Sequence, residues 1–321
     1  MDFTVFIPTY NRAHLLPRAL RSVEQQTLRD FDVLIVDDGS TDNTFQVAQE
    51  WISAGKFPIR YVRQSNRGKH AAYNTALKHV TGEFTVTLDS DDMLTPEALA
   101  LFKNAWESIP LSQRNAFAGV EGLCASLADG GIVGTKFPCS AAEGGYLDSN
   151  YLELYRRFRV DGDKSNAILT RVLREHPFPL FPGETFMPEA VVWKRIALKY
   201  KFRYLNQIVQ IIEYQRDGLS SNPFILRVNN PHAFRLQFME EINIYSRLYA
   251  EPGQFKRRLR SYDRYVRYSV HAGVAFSKQW RDIKGHGFFL VCFVIGVVHA
   301  WTDNMRMRRR GHARAPAPGK S

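Results

Sequence analysis

An α/β fold, with a mostly parallel sheet flanked by helices, is what this sequence predicts, and three observations carry the prediction. Apolar and β-branched runs alternate with segments of helical period through the first hundred residues. Two of those runs end in acidic turns, Asp37-Asp38-Gly39-Ser40 and Asp89-Ser90-Asp91-Asp92, and open α/β sheets hold ligands at the carboxyl ends of their strands. From Pro231 onward the pattern is mostly helical and basic, which predicts a helical C-terminal extension.

The elements follow in order. Phe3 to Ile7 reads as a strand, Leu15 to Gln25 as a helix, and Phe31 to Val36 as a second strand. Thr41, Asp42 and Thr44 are capping residues for a helix over Phe45 to Ile52. Ile59 to Val62 is a third strand, His70 to His79 a helix, and Phe84 to Leu88 a fourth strand. Strands separated by helices imply right-handed crossovers and parallel pairing. After Pro110 the rhythm changes. Glu121 to Ala128 and Ile132 to Thr135 flank Asp129-Gly130-Gly131, which predicts a hairpin. Asn166 to Leu173 predicts a strand, Val191 to Tyr200 a helix, and Phe202 to Tyr214 two short strands.

The 321 residues, 45% hydrophobic and 13% aromatic, suit a folded protein with a full core and exclude a disordered one. Cys124, Cys139 and Cys292 are odd in number and lack metal-ligand spacing, so they read as buried thiols in a reducing compartment. A strand begins almost at once, so no signal peptide is expected and a cytoplasmic location is. The net charge of +11 is uneven: residues 1 to 250 hold 28 Lys+Arg against 28 Asp+Glu, and residues 251 to 321 hold 15 against 4. That excess points to an anionic surface as partner, membrane before nucleic acid, because the body is balanced.

Four loops should meet at one sheet edge. Pro8-Thr9-Tyr10-Asn11-Arg12 offers a tyrosine face for a base; Asp37 and Asp38 can accept from a base N–H or a ribose hydroxyl. In Asn66-Arg67-Gly68-Lys69-His70 the glycine permits close approach and the lysine supplies charge for a diphosphate. The fourth loop packs three carboxylates into four positions, a costly cluster unless a cation such as Mg²⁺ or Mn²⁺ sits among it. Base platform, carboxylate, cation and metal site, in that order, describe a nucleotide-diphosphate pocket.

The run FIPTYNRAHLLPRALRSVEQQT, FDVLIVDDGSTDNT, NRGKHAAYN and GEFTVTLDSDD resembles the family 2 glycosyltransferases, enzymes of Rossmann-like GT-A fold, over roughly the first hundred residues. The resemblance implies metal-dependent, inverting transfer of a sugar from a nucleotide-diphosphate sugar, a UDP-sugar in many members, to a saccharide or lipid-linked acceptor in polysaccharide or surface-glycan synthesis. It implies that Pro8, Thr9, Tyr10, Arg12, Asp37 and Asp38 frame the donor, with Lys69 at its diphosphate or sugar. Asp89 would face the ribose or donor, and Asp91, with Asp89, would hold Mn²⁺ or Mg²⁺; Asp92 would lie near metal or acceptor. Inversion needs a general base. Pro188-Glu189 stands where the family has an acidic pair, so Glu189 takes that role, with Glu184 the alternate.

The resemblance divides the chain into a nucleotide-sugar half (1–110), an acceptor half (111–225) and a basic helical extension (226–321), with a disordered tail over 311–321. Arg216 is a candidate phosphate contact, and His70 a pocket-lining residue. The apolar segment 287–301 is short for a membrane span, so it reads as a core helix or an interfacial one near Arg306 to Arg310, at the inner membrane face. A nucleotidyltransferase is the rival enzyme, but Pro8 to Arg12 lacks the glycines of its phosphate loop. A non-catalytic protein that binds an anionic surface is the rival of another class.

Overall fold

In the computed structural model, residues 2–139, 144–215, 222–248 and 254–309 are described. They form two compact units: Met1–Phe178 with Glu189–Arg216, and Pro179–Pro188 with Asp217–Ser321.

The first unit is built on a nine-stranded sheet. Its strands are β1 (Phe3–Thr9), β2 (Phe31–Asp37), β3 (Ile59–Arg63), β4 (Phe84–Thr87), β5 (Met93–Leu94), β6 (Phe117–Ser126), β7 (Tyr146–Ser149), β8 (Lys164–Leu169) and β9 (Lys201–Ile212). The order is β3-β2-β1-β4-β8-β6-β9-β5, with β7 on β9. The strands β3, β2, β1 and β4 are parallel, as expected of strands joined by helices. Both faces of β1 and β2 are buried, which is why they read as unbroken apolar runs. Helices α1 (Leu16–Glu24), α2 (Thr44–Ala54) and α3 (Lys69–His79) make the crossovers, and α4 (Ala98–Glu107) follows β5.

Beyond β4 the sheet becomes mixed, where the sequence rhythm changes. β8 runs antiparallel to both β4 and β6, and β9 is parallel to β6 but antiparallel to β5 and β7. The hairpin expected around Asp129 shrinks to one bridge, Ala125 with Ile132. The reason is topological: β8 takes that edge of β6 as far as Leu123, so only Cys124 to Ser126 are left for a returning strand. The two short strands expected over Phe202 to Tyr214 are one, β9. Polar Asn206 and Gln207 break its apolar pattern because the register with β6 slips there, from Glu121–Tyr204 to Leu123–Ile208. Asn206 spends its amide on Phe137, accepting from its N–H and donating to its carbonyl at 2.9 Å each. The strand expected over Asn166 to Leu173 ends at Leu169, where α6 (Thr170–Glu175) begins. Two further helices, α5 (Tyr151–Arg156) and α7 (Ala190–Ile196), complete this unit.

The second unit is helical. α8 (Pro223–Asn229) and α9 (Pro231–Glu240) each open on a proline, whose missing N–H costs nothing in a first turn. A π-helical turn, Glu241–Tyr245, leads into the short α10 (Ser246–Leu248); then come α11 (Gln254–His271), α12 (Phe276–Asp282) and α13 (His286–Arg309). Ile242, Tyr262, Tyr265, Val266, Ile283, Phe289 and Cys292 form its core. Arg216 and the tail 311–321 lie outside the described residues.

The β6–β8 pairing depends on Gly119. A Cβ there would stand 2.1 Å from the Ala167 carbonyl oxygen, which belongs to the backbone and cannot swing aside. Gly119→Ala is therefore expected to destabilise the protein by about 1–3 kcal/mol, the range for overpacking. A urea unfolding curve with an unchanged midpoint would show that the strands tolerate separation.

Candidate functional site

The loop after β1 is fastened to the loop after β2. Asn11 takes a left-handed φ of 52°, a conformation asparagine tolerates, and its side-chain oxygen accepts from the Thr41 N–H at 2.8 Å. Its own N–H donates to Ser40 Oγ at 2.9 Å, the Arg12 N–H to Thr44 Oγ1 at 3.2 Å, and the Ala13 N–H to Asp42 at 3.0 Å. Pro8 and Thr9 lie within β1, paired with Val36 and Asp37, and Thr9 is buried. Tyr10, next along, is 45% exposed, so its ring is free to meet a ligand.

Asp37 and Asp38 are both buried and both engaged. Asp37 accepts from the Ser40 N–H at 2.7 Å and from the Tyr61 hydroxyl. Asp38 accepts from Gln64 Nε2 at 2.7 Å, the Arg67 N–H at 2.9 Å and the Gly68 N–H at 2.7 Å. The second loop thus shapes the third, and the two acids act on the pocket from behind its wall. Gly39 (φ 85°) is needed for this: a Cβ would stand 2.9 Å from the Asn66 backbone nitrogen. His70 is buried against the same wall, and burial lowers its pKa.

Each acid of the third cluster meets a different fate. Asp92 is buried, accepting from Gln210 Nε2 at 2.8 Å and the Glu213 N–H at 3.1 Å. Burial and then the Asp89 charge push its carboxyl up to about 7. Asp89, 39% exposed, pairs with Lys69 Nζ at 2.8 Å. Asp91 gives its backbone carbonyl to Arg18, which also pairs with Glu213 at 2.6 Å. Among the described residues no other side chain is hydrogen-bonded to the Asp91 carboxylate. Burial, then the Asp89 charge, raise its pKa, while the charges of Arg12 and Lys69 act the other way.

Lys69 also pairs with Glu189 Oε1 at 2.9 Å. Burial alone would lower its pKa, but the two acids outweigh that and raise it, so the ammonium is held charged. The geometry follows from two helices. Lys69 opens α3 with Tyr73 one turn later, and Glu189 caps α7 with Trp193 one turn later. An ion pair forms the first rung between them, and the Tyr73–Trp193 ring contact at 6.4 Å forms the second. Phe178 touches both rings, and Asn74 grips its backbone with two bonds of 2.8 Å.

Beside Glu189 opens a cavity of about 160 Å³, lined by Glu121, Tyr151, Tyr155, Lys164, Asn166 and Trp193 among others. Tyr151 and Tyr155 sit with ring centroids 4.4 Å apart. Aromatic faces beside carboxylates suit a saccharide, whose C–H face packs on rings while its hydroxyls bond to acids. Burial pushes the Glu121 carboxyl up to about 7, against opposing influences of Asn166 and Lys164. Sequence reading missed Arg18, Glu121, Tyr151, Tyr155, Lys164 and Asn166. Arg18 lies in the first quoted run without a role assigned to it, the others stand in no motif, and each joins the site through pairing or packing across the fold.

Glu184, the alternate base, lies in the other unit. Its carboxylate caps α9, accepting from the His232 N–H at 2.6 Å and the Ala233 N–H at 2.9 Å. Asp89 and Asp91 offer hard oxygens two residues apart, and no group of three metal-ligating side chains converges among the described residues. Mg²⁺ and Mn²⁺ ordinarily combine one or two carboxylates with substrate phosphates, so these residues fit an ion that arrives with a diphosphate.

A parallel α/β half extended by a half of mixed pairing is the GT-A arrangement. Solved structures of that fold align with 97% of the chain. Residues 1–349 of Staphylococcus aureus TarS in complex with UDP-GlcNAc match at TM-score 0.56 and 16% identity over 92% of that chain. The mannosyltransferase PcManGT of Pyrobaculum calidifontis, with GDP-Man and Mn²⁺, matches at 0.51 and 21% over 84% of its chain. Residues 4–113 match the glycosyl transferase family 2 model, and the chain carries a domain of that family. Chondroitin synthase of Escherichia coli is 40% identical over 98 residues, 30% of this chain and 14% of that protein. The poly(ribitol-phosphate) β-N-acetylglucosaminyltransferase TarS of S. aureus (strain Mu50) is 34% identical over 101 residues, 31% of this chain and 18% of that protein. The chain thus spans well under a third of the length of either relative.

The raised Glu121 has a consequence for stability. The unfolded carboxyl titrates near 4.5 and the folded one near 7, so folding favours the protonated form, and stability falls as pH rises between those values. Glu121→Gln removes that loss. Its melting temperature should match the parent at pH 4 and exceed it at pH 8, by a gain on the order of 2–3 kcal/mol. An equal difference at both pH values would place an ionised Glu121 in the folded cavity.

Proposed function

We propose that the chain is an inverting glycosyltransferase that moves a sugar from a nucleotide-diphosphate sugar, a UDP-sugar, to a hydroxyl of a saccharide or lipid-linked glycan. One observation carries this reading: Lys69 stands between Asp89 and Glu189 at 2.8 and 2.9 Å, beside the aromatic and acidic cavity. A donor-side acid, a cation suited to a diphosphate and a candidate base thereby share one cluster. TarS with UDP-GlcNAc and PcManGT with GDP-Man support a nucleotide-sugar donor. Three cysteines free of disulfides support a cytoplasmic setting.

In this reading Tyr10 stacks on the base, and Pro8 and Thr9 form the pocket floor beneath it. Asp37 and Asp38 hold the loops around it, and Arg12 and Lys69 face the diphosphate. Mn²⁺ or Mg²⁺ held by Asp91 and Asp89 would neutralise charge on the departing diphosphate. The acceptor hydroxyl enters from the cavity lined by Trp193 and Tyr151. Glu189 takes its proton as its oxygen bonds to the anomeric carbon, and the bond from that carbon to the diphosphate oxygen breaks on the opposite face. Lys69 keeps Glu189 aimed, through their 2.9 Å pair, until the diphosphate competes for the ammonium.

Calorimetric titration with UDP and GDP, each with and without Mn²⁺, tests the donor pocket. Metal-dependent binding of UDP that Asp91→Ala abolishes is the expected result; binding indifferent to metal and to Asp91 would remove both assignments. Glu189→Gln should bind UDP as the parent does and slow transfer by about 10²–10⁴-fold, the usual worth of a general base. Undiminished turnover would move the base elsewhere.

A further inference from the structure

The apolar segment read as either core or interfacial belongs to α13, and the helix has two dissimilar faces. One face is packed: Phe289, Cys292, Gly296, Ala300, Asp303 and Met307 are buried. Gly296 lies so close to α11 that a Cβ would stand 2.6 Å from Val266 Cβ. Asp303 is 1% exposed and accepts two bonds of 2.6 Å from Arg267 and one of 2.9 Å from His271. At about 3.6 residues per turn, the opposite face carries Leu290, Val291, Val294, Val298, Trp301 and Met305, with Ile295 at its margin. These are 38–66% exposed, and Val291, Val294 and Trp301 exceed 60%. The same face then runs on into Arg308 and Arg309, both exposed.

We infer that this stripe is a docking surface for an anionic lipid bilayer, with α13 lying in the headgroup plane. Charge selects the occupant. The described residues 254–309 hold 12 Lys+Arg and three acids, and each acid is spent internally. Asp263 pairs with His299 at 2.8 Å, Asp282 with Arg235, and Asp303 with Arg267 and His271. Ten of the basic side chains, Lys256, Arg260, Arg264, Arg306, Arg308 and Arg309 among them, are exposed. A second copy would bring the same positive charge to the stripe, whereas anionic headgroups complement it. Trp301 at the arginine end suits the boundary between headgroups and chains.

The helix is long and apolar enough to cross a membrane by length and composition. Its packing opposes that orientation: α11 is fastened alongside it, and exposed Lys256, Arg260 and Arg264 would be carried into hydrocarbon. Lying flat buries the stripe and keeps those cations out of the hydrocarbon.

Co-sedimentation of the full chain with vesicles of phosphatidylcholine, alone or mixed with phosphatidylglycerol, tests the surface. Binding to the mixed vesicles only, weakened by salt, is expected. Val294→Asp/Val298→Asp should lower it at least tenfold with the thermal melt unchanged, because both positions face solvent. Arg308→Ala/Arg309→Ala should also weaken it and flatten the salt dependence. No binding to mixed vesicles, or equal binding by the double aspartate variant, overturns the inference. So does a dimer in light scattering that the aspartates dissolve, which would assign the stripe to a second copy, or salt-dependent oligonucleotide binding without vesicle binding. UDP titration of the same variants reads the donor pocket separately, so failure of either proposal is distinguishable from failure of the other.

Discussion

Three carboxylates within four positions at the end of β4 set the constraint around which the first unit is organised. Such a cluster repels itself, and at short range in a partly buried turn the repulsion is worth several kcal/mol. The fold relieves it by drawing a different element to each member. Asp92 is met by Gln210 and the Glu213 N–H of the β9 end, Asp89 by Lys69 of α3, and the Asp91 carbonyl by Arg18 of α1. Asp91 alone keeps a carboxylate that no other described side chain hydrogen-bonds, with its pKa raised by burial and by Asp89.

The second device is the ladder between α3 and α7. An exposed ion pair is worth little, because water screens it and long side chains must be ordered to make it. Lys69 and Glu189 gain from what lies beneath them. Tyr73, Trp193 and Phe178 form an aromatic cluster with centroid separations of 5.1–6.4 Å, and Asn74 pins the Phe178 backbone. Ring packing of this kind contributes about 0.5–1.5 kcal/mol per pair beyond area burial. It fixes the helix ends, so the charges meet without paying much further entropy. Glu189 is thereby tied to the donor side although it lies over a hundred residues from Lys69.

This division explains what could be read in advance. β1 to β4, their helices and the four loops are written in local signals: apolar runs, capping residues, glycines at tight turns and acids at strand ends. Pro8, Tyr10, Asp38, Lys69 and Asp89 all stand on such signals, and the structure places their loops along one sheet edge. The second half is made by pairings across long separations. β9 carries a register slip at Asn206 that mimics a strand break, and β8 occupies its edge of β6 as far as Leu123, so a well-formed turn signal at Asp129 yields a single bridge, Ala125 with Ile132. Glu121, Tyr151 and Tyr155 look like ordinary strand and helix residues until β8 and α7 close the cavity around them. Asp37 and Asp38 illustrate the limit even where the motif is plain: spacing located them, but only the structure shows their oxygens turned inward to hold the neighbouring loop.

The two units spend charge in opposite ways, and the contrast bears on what each can do. In the first, 25 basic residues against 24 acidic ones leave almost no net charge, so its electrostatics are local. Cations are brought to a concentrated acidic cluster and leave one acid ready for a divalent ion, an arrangement suited to binding phosphate through metal. In the second, Asp263, Asp282 and Asp303 are engaged by His299, Arg235, Arg267 and His271, so that internal pairing takes up their charge while most basic side chains of residues 254–309 stay exposed. Fields of that kind act over a Debye length, about 8–10 Å, and favour extended anionic surfaces over single small ligands. A unit with a local field and an extension with a broad one can therefore change independently: substitutions on the α13 stripe leave the carboxylates of the β4 turn untouched.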